Sequence, residues 1–122
     1  MGSTELRRFA GWSCAAVALV SSATICLAYD SAGFVSFGVG NKRCGQYTAD
    51  ARQPERGFVY ETWLSGYLTA FNAYNPGTAD VLTGTDFDGA VVWIKDYCRE
   101  HPTVVVHAAA VKLIEFMRQQ HR

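Results

Sequence analysis

The chain lacks an excess of charge of either sign. Its 122 residues carry 11 Lys and Arg against 11 Asp and Glu, and neither sign gathers into a patch or a tract. Nucleic-acid-binding domains carry clustered basic side chains, and charged tails are runs of one sign. We therefore expect neither a nucleic-acid partner nor a charged tail. The sequence also lacks internal repeats, low-complexity tracts and any linker that would separate a second domain.

The N-terminal apolar segment is too short for a membrane span, which needs about 20 apolar residues. Arg7 and Arg8 precede an uncharged stretch, 14–27, and polar residues resume at Tyr29. A basic start followed by a short apolar stretch is typical of a secretory signal peptide. We predict a Sec-type signal peptide over residues 1–28, with an uncleaved anchor as the alternative, and a single exported domain over residues 29–122.

Cysteine is scarce, and the positions of the four cysteines suggest one disulfide. Cys14 and Cys26 fall within the predicted signal peptide, which leaves Cys44 and Cys98 in the exported domain. One pair of cysteines in a small exported domain predicts a structural disulfide, which persists in the periplasm or outside the cell. The bond would close a loop of about 55 residues, for which the chain-entropy model gives about 4 kcal/mol of stabilisation.

Apolar periodicity and capping residues predict an all-α fold with four helices, one short and three longer. The predicted helices cover residues 42–52, 58–74, 86–100 and 104–120, with an irregular lead-in that contains an extended piece at 34–37 and a turn at 53–57. Asn41, Thr85 and Thr103 are the predicted N-caps of the first, third and fourth helices. Three valines at 104–106 leave a strand as the alternative to the start of the fourth helix.

The second predicted helix is apolar around much of its circumference. Spacings of three and four residues predict a wide helical stripe, which indicates a central helix. The stripe consists of Val59, Trp63, Tyr67, Ala70 and Tyr74, with Leu64, Leu68 and Phe71 beside them. Gly66 lies in the helix interior, where it costs about 1 kcal/mol relative to Ala, and we interpret it as a point of close packing. The apolar breadth of this helix also leads us to expect a homodimer.

Three short motifs resemble the HdeA/HdeB-type small periplasmic proteins. These motifs are Cys44-Gly45-Gln46-Tyr47, then Trp63-Leu64-Ser65-Gly66-Tyr67, then the segment from Trp93 to Pro102 that contains Tyr97-Cys98-Arg99. The resemblance implies a helical, exported, non-enzymatic domain tied by one disulfide between Cys44 and Cys98. It also implies an acid-stress chaperone that exposes apolar helix faces to unfolding client proteins.

The Gly66-Tyr67 helix and the Ala-rich helix that follows His101-Pro102 also resemble the Tai-type immunity proteins, which neutralise amidase effectors of type VI secretion. Those proteins usually carry a further cysteine near the C-terminus, whereas no cysteine follows Cys98 in this chain. This second resemblance implies a rigid inhibitor that binds a periplasmic effector enzyme. It is the alternative function.

A catalytic or metal site is hard to assemble from these residues. Cys98 and His101 are spaced like a thiol–imidazole pair, but a disulfide removes the thiol, and His101 suits the negative end of a helix dipole. Asp86 and Asp88 are explained as residues of a helix N-terminus. His101 and His107 lack two further ligands at a recognisable zinc-site spacing. We expect neither an enzyme nor a cofactor.

Aromatic side chains are numerous for a domain of this size, and they are the candidate binding residues. Most of them should form the core, but some should face a protein partner or an unfolded client, because interfaces favour Trp and Tyr at their centres. The candidates for partner binding are Trp63, Tyr67, Phe71, Tyr74 and Trp93. Residues 34–37 and Tyr60 are the other apolar groups expected at the surface.

Overall fold

The computed structural model describes residues 34–122 as four α-helices, which confirms the predicted all-α fold. The predicted signal peptide, residues 1–28, lies outside the described residues. After a lead-in segment (residues 34–41) that ends in the 3₁₀ turn Gly38–Asn41, the helices are α1 (Cys44–Asp50), α2 (Pro54–Tyr74), α3 (Phe87–Glu100) and α4 (Val106–Gln120). Within residues 34–122 no strand is formed, and one isolated β-bridge joins Arg43 to Val105.

The disulfide joins Cys44 at the start of α1 to Cys98 near the end of α3, as predicted. Both cysteines are fully buried. Because 54 residues of sequence separate them, the bond fixes two distant parts of the chain in one core. The predicted pairing is therefore confirmed.

The starts of α1 and α4 hold each other in place through backbone hydrogen bonds. Cys44 N donates to Val104 O at 2.7 Å, and Val106 N donates to Lys42 O at 2.9 Å. These bonds satisfy backbone N–H groups at the N-termini of the two helices, so neither helix needs a side-chain cap. The valine run at 104–106 thus pairs briefly as a strand would before α4 begins.

This pairing explains why two predicted N-caps are wrong. The N-cap residues are Arg43 and Val105, and neither makes a side-chain capping bond. Asn41, the predicted cap of the first helix, donates its side-chain amide to Ser36 O instead. Thr103 lies before the start of α4, and its carbonyl accepts a hydrogen bond from Arg43 Nη1 at 2.7 Å.

Helix α2 begins four residues earlier than predicted, so the predicted turn at 53–57 is wrong. Pro54 occupies the first helical turn, where its missing N–H costs nothing and its fixed φ suits the helix. Gly57 is buried, and a Cβ there would lie 3.4 Å from Ala51 Cα. The glycine therefore allows α2 to fold back closely against the end of α1.

Helix α3 is capped by Asp86, one residue after the predicted cap Thr85. Asp86 Oδ1 accepts a hydrogen bond from Gly89 N at 2.8 Å, which satisfies one of the free N–H groups of the first turn. The end of this helix at Glu100 matches the prediction.

The core lies mainly between α1, α3 and α4. It is formed by Cys44 and Tyr47 from α1, by Ala90, Val91, Ile94 and Cys98 from α3, and by Val106, Ala109, Ala110, Leu113, Ile114 and Met117 from α4. Helix α2 adds Tyr60, Leu64 and Leu68, and the connector before α3 adds Val81. The buried residues of α3 and α4 therefore recur at spacings of three and four, as in an amphipathic helix.

The predicted stripe on the second helix is rotated from the true one. The buried apolar side chains of α2 are Tyr60, Leu64 and Leu68, whereas Val59 is 51% exposed and Tyr74 is 84% exposed. Gly66 makes no close contact, since a Cβ there would meet nothing within 4 Å. The sequence of the helix contains two apolar stripes with helical spacing, and the stripe that contains Leu64 and Leu68 faces the core.

Candidate protein-binding surface

The most exposed large apolar side chains concentrate on the lead-in segment and α2. Among residues 34–122 these side chains are Val35, Phe37, Phe58, Val59, Tyr74, Val92 and Phe116. Five of the seven belong to the lead-in segment or α2. These two elements therefore carry most of the large apolar side chains that remain in contact with water.

The lead-in segment presents two apolar side chains outward by simple alternation. Val35 is 67% exposed, Ser36 is 7% exposed and Phe37 is 79% exposed. In extended backbone, successive side chains point in opposite directions, and Phe37 is extended, with φ −114° and ψ 160°. Burying Ser36 therefore exposes both Val35 and Phe37.

Trp63 of α2 holds the lead-in segment in this position. Its indole Nε1 donates to Phe37 O at 3.0 Å. The ring lies so close to the 3₁₀ turn that a Cβ on Gly40 would be 2.3 Å from it. The contact therefore requires glycine at position 40, and it leaves Trp63 half-buried beneath Phe37.

The other end of the lead-in segment rests on α2 and α4. The ring of Phe34 lies 6.3 Å from that of Tyr67 and 5.3 Å from that of His107, measured between centroids. His107 is buried, and its Nδ1 lies 3.2 Å from Gly40 O. Because a carbonyl oxygen can only accept, Nδ1 carries the proton in this bond.

These contacts create a continuous aromatic surface, which we call the lead-in surface: Val35, Phe37, Trp63 and Tyr67. Trp63 and Tyr67 stack with centroids 5.1 Å apart and an interplanar angle of 21°. A shallow groove of about 490 Å³ runs between the lead-in segment and these two rings. The surface is preformed in the folded domain.

A second aromatic surface lies on α3 and α4. Trp93, Tyr97 and His101 stack in sequence along α3, with centroid distances of 5.1 and 4.1 Å. Phe116 of α4 meets Trp93 at 5.6 Å, and these two rings help to line a groove of about 320 Å³. Trp93, predicted beside the α2 aromatics as a binding residue, thus packs with a separate group of rings.

The ionisable groups at the α1–α2 junction form a structural network. Tyr60 OH donates to Asp50 Oδ2 at 2.8 Å, and this bond is the main cause that lowers the pKa of Asp50. Burial, and then the bond to Asp50, raise the pKa of Tyr60 far above its usual value. Burial also raises the pKa of Tyr47 to about 12, with the nearby Glu61 adding to the effect. Both phenols therefore stay protonated at neutral pH.

Tyr60 corrects one expectation about the surface. It was expected among the exposed apolar groups, but it is 4% exposed and its ring stacks on Tyr47 at 4.5 Å. Its hydroxyl reaches the edge of the domain at Asp50, so the ring is buried and the polar end stays paired. Tyr60 joins α1 to α2 and is not a surface anchor.

Three of the residues weighed as catalytic groups or metal ligands have structural partners. Cys98 is held in the disulfide, and His101 Nδ1 donates to Tyr97 O at 2.9 Å. Asp86 caps α3. Within the described residues, 34–122, no three side chains from His, Cys, Asp and Glu converge as metal ligands. Over the same range, no helix combines the length and the apolar character that crossing a membrane requires.

Three exposed side chains were not predicted from the sequence: Phe58, Val92 and Phe116. Each lies on a helix that also carries core residues, so composition alone does not separate it from the core. For Phe58 a signal was available in its spacing. It lies six residues before Leu64 and ten before Leu68, and neither spacing is a whole number of helical turns. Phe71, a predicted binding residue, is half-buried and packs against the core.

The chain matches no protein-family model, no curated protein and no solved structure. The resemblance to HdeA/HdeB-type and Tai-type proteins therefore stays a prediction.

Proposed function

We propose that this chain is an exported, non-enzymatic binding protein that recognises another protein through the lead-in surface. The observation that carries this proposal is the exposure of Val35 and Phe37 above the stacked rings of Trp63 and Tyr67. Exposed apolar patches of this kind mark interaction sites, and tryptophan and tyrosine are favoured at interface centres. The rings are already positioned, so binding would require little ordering of side chains.

The disulfide supports the proposed location. Disulfides persist in oxidising compartments and are rare in the cytosol, and Cys44–Cys98 is buried in the core. Together with the predicted signal peptide, the disulfide supports the periplasm or the outside of the cell as the location of the protein. The location remains part of the proposal.

A preformed surface supports the Tai-type alternative, in which the chain inhibits one folded enzyme. Such an inhibitor would bind at neutral pH and at fixed stoichiometry. The groove beside Phe37 suits an apolar side chain of the target, with Trp63 and Tyr67 as its walls.

The charge composition supports the HdeA/HdeB-type interpretation as the second candidate. Residues 29–122 carry nine Lys and Arg, three His and ten Asp and Glu. In acid the carboxylates lose their charge, and repulsion among the remaining cations loosens a small domain. The disulfide would keep the loosened chain compact while its apolar helix faces bind unfolding clients.

One experiment tests the proposal and separates the two candidates. The oxidised protein, immobilised, is exposed to an extract of the exported compartment at neutral pH, and separately it is added to an acid-stressed client while light scattering is followed. A stoichiometric partner at neutral pH supports the inhibitor. Suppressed scattering in acid without such a partner supports the chaperone.

The matched variants locate the surface. Val35→Ser with Phe37→Ser should abolish capture, whereas Val92→Ser with Phe116→Ser, at the exposed apolar side chains of α3 and α4, should retain it. Capture that survives the first pair, or the absence of both activities in the wild type, would overturn the proposal.

A further inference from the structure

We propose that a pocket between α1 and α3 binds an organic carboxylate, that is, a carboxylate carried on an apolar group. The pocket has a volume of about 250 Å³ and is lined by Tyr47, Thr48, Ala51, Arg52, Lys95 and Arg99. It shares no residue with the lead-in surface. The proposal is therefore independent of the function proposed above.

Positive charge dominates the lining of this pocket. Three of the lining residues are cations, and none of the described residues that line it carries a carboxylate. Lys95 and Arg99 lie four residues apart on α3, so they project from the same face of that helix. Arg52 reaches the pocket from the end of α1. Cations that converge on one pocket favour an anionic ligand, and a guanidinium can hold both oxygens of a carboxylate.

Two of the three cations also pair with carboxylates that lie outside the lining. Lys95 Nζ is 2.8 Å from Glu61 Oε1, and Arg99 Nη1 is 2.8 Å from Asp96 Oδ1. Both side chains of the second pair are more than half exposed, and such a pair is weak enough for Arg99 to bind a ligand as well. Within residues 34–122 the guanidinium of Arg52 has no ion pair. The cations of the pocket therefore outnumber the carboxylates that pair with them.

The hydroxyl of Tyr47 is a buried donor that a carboxylate would satisfy. Tyr47 lines the pocket and is 2% exposed, and its hydroxyl makes no hydrogen bond to any of the described residues. Burial, and then the nearby Glu61, raise the pKa of this phenol to about 12, so it keeps its proton at neutral pH. Buried polar groups are nearly always hydrogen-bonded. A carboxylate in the pocket would accept from this hydroxyl while the cations balance its charge.

The apolar part of the lining favours a carboxylate on an apolar group over a small inorganic anion. Ala51 and the ring of Tyr47 supply apolar surface that an inorganic anion would not cover. The volume lies just below the range of about 300–1,000 Å³ that is usual for small-molecule sites, so the pocket admits one side chain or one chain terminus. A free carboxylic acid and the C-terminus of a peptide both offer this chemistry.

The walls of the pocket are fixed in the folded domain. The disulfide joins Cys44 at the start of α1 to Cys98 of α3. Thr48 Oγ1 donates to Cys44 O at 3.0 Å, and the ring of Tyr47 stacks on that of Tyr60 with centroids 4.5 Å apart. Binding therefore requires little ordering of the backbone, which favours affinity.

An NMR titration tests the proposal, with N-acetylleucine as the probe and N-acetylleucine amide as the uncharged control. The protein is expressed with its own N-terminal segment, isotopically labelled and purified in the oxidised form. The acid should shift the backbone amide signals of Thr48, Ala51 and Arg99 with a dissociation constant on the order of 1 mM. The amide should bind at least about tenfold more weakly, because it lacks the charge.

A short peptide that ends in leucine with a free C-terminal carboxylate separates the two sources of the ligand. Tighter binding of this peptide than of N-acetylleucine supports a protein C-terminus as the ligand. Equal or weaker binding of the peptide supports a free small acid.

Matched variants locate the site, and circular dichroism shows whether each is folded. Arg52→Gln should weaken binding of the acid about tenfold, because it removes the cation that has no ion pair, and Tyr47→Phe about threefold, because it removes one hydrogen bond and keeps the ring. Arg118→Gln makes the same charge change at an exposed site of α4 and should bind as the wild type does. The proposal is overturned if neither compound shifts these signals in the wild type, if the amide binds as tightly as the acid, or if folded Arg52→Gln binds as tightly as Arg118→Gln.

Discussion

Helices α2 and α4 are both rich in apolar residues, but they use them differently. Seven of the 15 residues of α4 are buried, against four of the 21 residues of α2. The apolar residues of α4 recur on one side, against α1 and α3, whereas those of α2 surround its axis. The comparison separates a helix that stabilises the fold from a helix that, in our proposed function, provides surface for binding.

Removing the disulfide, which joins the two helices that pack against α4, should cause the largest loss of stability. The pair Cys44→Ala with Cys98→Ala opens a loop of 54 residues, and the chain-entropy model gives a loss of about 4 kcal/mol in the free energy of unfolding. Urea denaturation of the variant and of the oxidised wild type measures it. Reducing the wild type should produce a similar loss, and equal stability before and after reduction would contradict the prediction.

A matched pair of truncations tests the comparison directly. Leu113→Ala in α4 removes a side chain that is 1% exposed, and such cavities cost about 3 kcal/mol. Val59→Ala in α2 removes an exposed side chain and should change the free energy of unfolding by less than about 0.5 kcal/mol. Urea denaturation of both variants gives the two values. Similar losses of unfolding free energy in the two variants would show that Val59 of α2 is packed as tightly as Leu113 of α4, which would contradict the prediction.

Gly66→Ala should stabilise the monomer. The position lies in the interior of α2 with open space around it, and alanine is favoured over glycine in a helix by about 1 kcal/mol. The thermal midpoint, measured at a concentration low enough to keep the protein monomeric, should rise. A fall in the midpoint would mean that Gly66 packs against something in the folded monomer.

The junction of α1 with α2 should contribute a small dependence of stability on pH. The hydrogen bond from Tyr60, with further bonds from Gln46 and Arg56, lowers the pKa of Asp50 in the folded state. As the pH falls through about 3.9, the pKa of an aspartate in the unfolded chain, the unfolded chain takes up the proton before the folded protein does. Stability from this group is therefore present above that pH and is lost as the pH falls through the folded pKa.

The urea midpoint between pH 5 and pH 2, roughly the range over which an aspartate titrates, checks this sign. Asp50→Asn should reduce the decline in stability with acid, and Tyr60→Phe should reduce it in part because it removes the shortest of the three hydrogen bonds to Asp50. An unchanged decline in both variants would remove Asp50 from the acid response.

Much of the fold was predictable because strong local signals agreed with the tertiary arrangement. The stripe that contains Ala90, Ile94 and Cys98 faces the core as its spacing indicates. Local signals gave the wrong helix caps where backbone groups of a distant segment took the place of a side-chain cap. Asn41 and Thr103 are good capping residues, but backbone bonds between the starts of α1 and α4 make side-chain caps unnecessary.

The candidate surface was predictable in composition and not in location. The aromatics of α2 were evident, yet Tyr60 is buried and Val59 exposed, the reverse of the prediction. A helix with apolar residues on every side offers two stripes that differ by a rotation, and the choice between them depends on what the rest of the chain places beside it. Trp93 shows the same limit, because its neighbour Phe116 comes from another helix.

The sequence by itself determined the helical class, the pairing of Cys44 with Cys98 and the ends of α2 and α3 at Tyr74 and Glu100. The helical class and the helix ends depend on periodicity and stop signals, which act locally, and the pairing follows from the number of available cysteines. The tertiary structure alone decided which side of α2 is exposed and how the lead-in segment displays Val35 and Phe37. Those features depend on Trp63, Gly40 and His107 meeting across distances in the chain that no local pattern records.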